Sequence, residues 1–183
     1  MTYPERGPEL PPVVRTPDSA FADLPDEARV WIYPFEQEFD QDREQIIRQG
    51  LEPFMSQWVS HEASVQGAFD IFSNRFVVVV AHCTAGISGC SIDSLVRNFK
   101  SLRSLHGLDG LKGGILYFRN QQGEIQAVEQ LKFRDLIESG TVSAETPVFQ
   151  TSLQTLGRLR TGEFEAPFKH SFLARAFPLP AAQ

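Results

Sequence analysis

The stretch Val65-Gln66-Gly67-Ala68-Phe69-Asp70-Ile71-Phe72-Ser73-Asn74-Arg75-Phe76-Val77-Val78-Val79-Val80-Ala81 decides the fold. Its first half alternates, with Val65, Gly67, Phe69 and Ile71 on one side and Gln66 and Asp70 on the other, the period of a half-buried strand. Ser73-Asn74 predicts a tight turn, because Asn tolerates positive φ. Phe76 to Ala81 is apolar throughout, so the second strand of this hairpin must be central and covered on both faces.

The flanking segments supply neighbours and covers. Val30-Trp31-Ile32-Tyr33 is another short apolar strand. From about Asp40 to Ser60, Ile47, Leu51, Phe54 and Trp58 recur at i, i+4, i+7 and i+11, which predicts a helix. Gly50 and Pro53 fall inside it, and a kink or break is expected there. Downstream, Ile92, Leu95, Val96, Phe99 and Leu102 mark a second amphipathic helix that closes at His106-Gly107. Gly114 to Arg119 predicts a fourth strand, Gln121-Gln122-Gly123 a turn into a short fifth around Ile125, and Val128 to Ser139 a helix stopped by Gly140.

The order β-α-β-β-α-β through Arg119 is that of a ferredoxin-like split sandwich, an α+β fold whose antiparallel sheet runs 4-1-3-2. Strands one and three are then central, and these two lack polar alternation. Helices in this topology cover one sheet face only, so the other face needs a further cover. The C-terminal stretch Phe164, Phe168, Phe172 and Phe177 is the expected one, and a second copy of the chain, a homodimer through the sheet face, is the alternative. Residues 1–28 hold six of the twelve prolines and few large apolar groups, the composition of a disordered tail. Residues 29–177 read as one domain, with a ferredoxin-like core over 29–127 and a helical, aromatic extension over 128–177; residues 178–183 read as a second tail.

With 183 residues, 42% hydrophobic and 22% charged, the chain is long enough for one well-buried domain. No apolar run approaches the ~20 residues that cross a bilayer, and no basic region followed by an apolar stretch opens the chain, so a cytoplasmic protein without a membrane role is expected. The net charge is −6, and residues 1–60 carry twelve acids against five bases. Nucleic-acid binding draws on a basic field, and only Arg97, Lys100 and Arg103 on one helix face offer one; nucleic acid is excluded as a partner.

Chemistry is best placed at Ala85-Gly86-Ile87-Ser88-Gly89-Cys90-Ser91, which opens the second helix. A helix N-terminus presents unpaired N–H groups and a partial positive charge. Gly86 and Gly89 let the backbone approach a ligand, and Ser88 and Ser91 either cap the helix or donate to an anion. The expected topology gathers Arg29, His61, His82 and Cys90 at the same end of the sheet. Two uses follow: a small anionic ligand or partner protein held by Gly86, Ser88, Gly89, Ser91 and Arg29, or thiol chemistry with Cys90 as nucleophile and His61 or His82 as base. Ser91 as N-cap with Asp93 in the first turn equally describes a helix start with no ligand at all. The four histidines have no metal-ligand spacing, so neither a metal nor another cofactor is expected.

The segments Val30-Trp31-Ile32-Tyr33, Trp58-Val59-Ser60-His61, Ser73-Asn74-Arg75-Phe76 and Gly86-Ile87-Ser88-Gly89-Cys90-Ser91-Ile92-Asp93 resemble a family of small uncharacterised bacterial proteins. Many of its members carry an automatic "ABC transporter ATPase" label. The resemblance runs from about Val30 to Phe177 and implies no activity, substrate or cofactor. ATP hydrolysis of that class needs G-x-x-x-x-G-K-[ST], and no Gly-Lys-Ser or Gly-Lys-Thr occurs in this chain. Separately, Phe133 to Val142 followed by Thr146-Pro147-Val148-Phe149 is similar to the helix-and-loop part of GYF-type modules, which bind proline-rich peptides, but the aromatic cluster that names those modules is missing.

Overall fold

The structure is a computed structural model that describes residues 18–180. The expected hairpin is present: β4 (Gln66–Phe72) and β5 (Phe76–His82) pair antiparallel, with Phe72 opposite Phe76. Ser73 and Asn74 both take positive φ, and the Arg75 N–H donates to the Phe72 carbonyl at 3.1 Å. On the other edge of β5 lies β1 (Arg29–Pro34), in register from Arg29 opposite Ala81 to Pro34 opposite Phe76. Every residue from Phe76 to Ala81 is fully buried, as a central apolar strand requires.

The alternation of β5 divides its two faces. Val77, Val79 and Ala81 pack with Tyr33 beneath α1 (Gln41–Gln57) and α2 (Gly89–His106). Asp40 caps α1, its carboxylate accepting the Arg43 N–H at 2.8 Å, and Gly107 closes α2 at φ 67°. Gly50 and Pro53 lie inside α1, which runs without a break from Gln41 to Gln57. Gly50 serves a close approach, since a Cβ there would lie 3.2 Å from Leu102 Cδ2.

The strand order 4-1-3-2 is not found. Three of the expected strands form the sheet β1-β5-β4, but the fourth, β6 (Ile115–Arg119), belongs to a second, four-stranded sheet. It pairs with β7 (Ile125–Glu129) over five residues and with β8 (Pro147–Phe149) through Phe118 and Val148; β9 (Glu165–Pro167) completes the sheet. The free edge of β1 meets residues 154–156 instead, through Val30 N–H to the Gln154 carbonyl and Leu156 N–H to the Ala28 carbonyl. A full hairpin partner and a third strand give β6 more backbone pairing than the edge of β1 offers.

The second sheet covers the second face of the first. Val30, Ile32, Phe76, Val78 and Val80 pack against Tyr117, Ile125, Phe149, Leu156 and Phe164. Of the four phenylalanines expected to provide that cover, only Phe164 does so. Phe168 and Phe177 lie in a third core on the far side of the second sheet, under α3 (Gln130–Glu138), and Phe172 is exposed. The layers therefore run helices, sheet, sheet, helix, and the surface that a homodimer would have had to cover is already filled. The layers also divide the chain differently from the expected 29–127 and 128–177, because β6 and β7 go with the later half.

Of the segment read as an N-terminal tail, residues 1–17 lie outside the described residues. Phe21, Leu24 and Ala28 are buried, and the Arg160 guanidinium donates to the Phe21 and Leu24 carbonyls at 2.9 and 3.1 Å. Residues 178–180 are exposed, and 181–183 lie outside the described residues. No helix among the described residues is long and apolar enough to cross a membrane.

Candidate functional site

The turn after β5 is held from below by the short hairpin β2 (Val59–Ser60) and β3 (Ala63–Ser64), which the sequence reading did not anticipate. Ser60 is buried, and its hydroxyl donates to the Gly86 carbonyl at 2.9 Å and accepts the Ser88 N–H at 2.9 Å. Two residues earlier, the Trp58 indole donates to the Ser91 carbonyl at 3.1 Å. Gly86 takes φ 79°, and its N–H closes the turn onto the Cys83 carbonyl.

Ser88, not Ser91, is the N-cap, its hydroxyl oxygen accepting the Ser91 N–H at 3.2 Å. Ser91 is buried, and its hydroxyl donates to the Val59 carbonyl at 2.7 Å. Both serines named as anion donors are therefore engaged within the protein, Ser88 as the cap and Ser91 as a tie to β2. Gly89 and Cys90, the first two helical residues, are exposed, and a Cβ at Gly89 would meet nothing within 4 Å.

The other named residues converge in part. Arg29 stands opposite Ala81, and His82 ends the same strand, so both lie at the end of the sheet from which the turn departs. The Arg29 guanidinium sits 5.0 Å above the Trp31 ring, which in turn lies 6.0 Å from Trp58. His61 occupies the β2–β3 turn at φ 49°, and the bonds of Ser60 bring that turn against residues 86–88. Cys83 is half-buried and Cys90 is exposed. The hydrogen-bonded frame around Cys90 is made by Ser60, Ser88 and Ser91 rather than by His61 or His82. Among the described residues, no three His, Cys, Asp or Glu side chains form a metal-holding group.

Sequence reasoning missed Ser60 and the indole of Trp58, the two side chains that fix the turn. Ser60 enters the sequence reading only within the resemblance, and Trp58 otherwise only as a residue of the first helix face. The signal lay in a buried Ser beside a Trp just past a helix end, where each polar group must find a partner. No family model, no curated protein and no solved structure gives a significant match to this chain.

Proposed function

We propose that the protein is a non-catalytic cytoplasmic binding protein whose small anionic ligand or protein partner docks at residues 86–91. One observation carries this reading: the exposed residues Gly89 and Cys90 open an 18-residue helix over a turn pinned by Ser60 and Trp58. The helix dipole favours negative charge there, and the pinned backbone loses little freedom when a ligand arrives. Ser88 and Ser91 act as supports, so the contacts fall to backbone amides, with Arg29 at the same end of the sheet. The chain lacks the Gly-Lys-Ser/Thr phosphate loop, so ATP hydrolysis plays no part. Inorganic phosphate titrated into ¹⁵N-labelled protein should move the Gly89 and Cys90 amide resonances in a saturable way. Saturable shifts elsewhere with none at these two amides would refute the reading.

The exposure of Cys90 favours a second reading, a thiol enzyme with Cys90 as nucleophile and His61 or His82 as base. Iodoacetamide labelling of Cys90 near neutral pH tests it. Labelling faster than a free thiol, and slowed by His61→Ala or His82→Ala, is the expected result. Labelling at the rate of a free thiol, indifferent to both substitutions, removes the enzyme.

A further inference from the structure

The first sheet ends in two edges, and they are closed by different means. On β1, Val30 faces away from β5, and its N–H donates to the Gln154 carbonyl at 3.0 Å. On β4, Ile71 faces away from β5, and its N–H donates at 2.8 Å to the carboxylate of Asp70 beside it. Backbone groups of an antiparallel strand point alternately toward the partner and away from it, so Phe69 and Gly67 face outward together with Ile71. Among the described residues, no other strand pairs with this edge, and no backbone group of another segment bonds to Gly67 or Phe69 there.

Charged side chains from α1 reach this edge. The Arg48 guanidinium donates to Glu44 at 2.8 Å, approaches Asp70 at 3.5 Å and stands 5.8 Å from the centre of the Phe69 ring. One carboxylate oxygen of Asp70, Oδ1, meets both the guanidinium and the Ile71 N–H. The Asp70 side chain is only 18% exposed, so the charge is held against the strand rather than projected into water. On the side of the second sheet, Phe21 packs on Phe72 with ring centres 6.3 Å apart. An open strand edge is a template for pairing with another chain, and charge placed on it is a common guard.

We propose that the β4 edge is a latent pairing surface for a second copy of this chain, and that the Asp70 carboxylate, held by Arg48, keeps it closed. The edge is self-complementary: the same outward residues supply both sides of an antiparallel two-fold pairing. Two β4 strands meeting about Phe69 set Gly67 of one copy opposite Ile71 of the other. Each Ile71 N–H is then a donor that the pairing needs and that Asp70 already occupies. Pairing must break that bond and take the carboxylate and guanidinium further out of water. This is a different contact from a homodimer through the sheet face, because both faces of the first sheet are covered within the chain.

Sedimentation velocity of the full chain and of Asp70→Ala over a concentration series tests this. Asp70→Ala should self-associate roughly 10- to 100-fold more tightly than the unaltered chain, the effect of freeing one backbone donor on each side of the pairing. Asp70→Asn keeps an oxygen that accepts the Ile71 N–H and should stay closer to the unaltered chain. Hydrogen exchange locates the contact: the Gly67 and Phe69 amides of Asp70→Ala should gain protection as concentration rises. No gain in association, association without protection at these two amides, or equal association of Asp70→Asn and Asp70→Ala would each overturn the proposal. The unaltered chain supplies an arm that holds even if Asp70→Ala fails to fold. Its Ile71 amide should exchange more slowly than those of Gly67 and Phe69, and equal rates at all three would also overturn the proposal.

Discussion

The two sheets of this protein solve one burial problem with different means. The first, β1-β5-β4, is organised by a strand that is apolar on both faces, and its register runs unbroken for six and seven residues on either side. The second, β7-β6-β8-β9, has one long pairing and two short ones, and relies more on side chains. Arg119 on β6 donates twice to Glu165 on β9, at 2.7 and 2.8 Å, and once to the Gly123 carbonyl at 2.7 Å. Backbone pairing unifies one layer; an ion pair spanning two strand positions ties the other. The seam between them is aromatic, with Phe76 touching Tyr117, Phe149 and Phe164 at centroid distances of 4.9 to 5.2 Å.

The seam is where the comparison breaks most easily. Phe76→Ala removes a fully buried ring shared by both sheets and should cost about 3–5 kcal/mol in urea unfolding. A cost below ~1 kcal/mol would mean that the sheets do not depend on each other at this point. Next is the tie of the second layer. Arg119 and Glu165 are 15% and 13% exposed, so Arg119→Met strands a mostly buried carboxylate and should cost about 2–3 kcal/mol, somewhat less than for a pair fully removed from water. Adding Glu165→Leu should restore much of that loss. If the double variant is as unstable as the single one, the pair is not what holds β9.

The difference between the layers also explains what was legible beforehand. Six consecutive apolar residues from Phe76 admit one reading, and Ser73-Asn74 fixes where the chain reverses, so the order β1-β5-β4 follows from local pattern. The destination of Gly114 to Arg119 does not. Ile115-Leu116-Tyr117-Phe118 suits the edge of β1 or a sheet of its own, and the choice rests on distant three-residue strands, Pro147–Phe149 and Glu165–Pro167, too short to show periodicity. Phe164 and Phe168 are four residues apart in sequence yet lie in different cores, because β9 passes between them. At the candidate site, the helix start was legible from Gly86-x-Ser88-Gly89, but Ser88 and Ser91 competed as caps. The buried partner that decided between them, Ser60, is 28 residues upstream of the residue it holds.

Ser60 gives a smaller test on the first layer. Ser60→Ala leaves the Gly86 carbonyl and the Ser88 amide without their partner in a partly buried place, at a cost of about 1–2 kcal/mol. Hydrogen exchange at Ser88 should quicken while β5 amides stay protected. Equal acceleration across β5 would show that the turn is not a separate unit but part of the sheet.

The smallest expected effect belongs to a surface pair of the second layer. The Arg158 guanidinium, hydrogen-bonded to Glu163 at 2.6 and 2.8 Å, lowers the Glu163 pKa below its ordinary value of 4.5. A carboxylate favoured by folding stabilises the protein fully above its unfolded pKa, and that contribution disappears as pH falls through the lowered folded value. Because the two side chains are 53% and 39% exposed, solvent screening limits the contribution to about 0.5 kcal/mol. Arg158→Gln should therefore flatten the stability profile slightly on the acid side of pH 4.5 and leave the Phe76 and Arg119 penalties unchanged. An acid-side change of several kcal/mol would instead make this pair a tie comparable to Arg119–Glu165, and the second layer would then rest on two ion pairs rather than one.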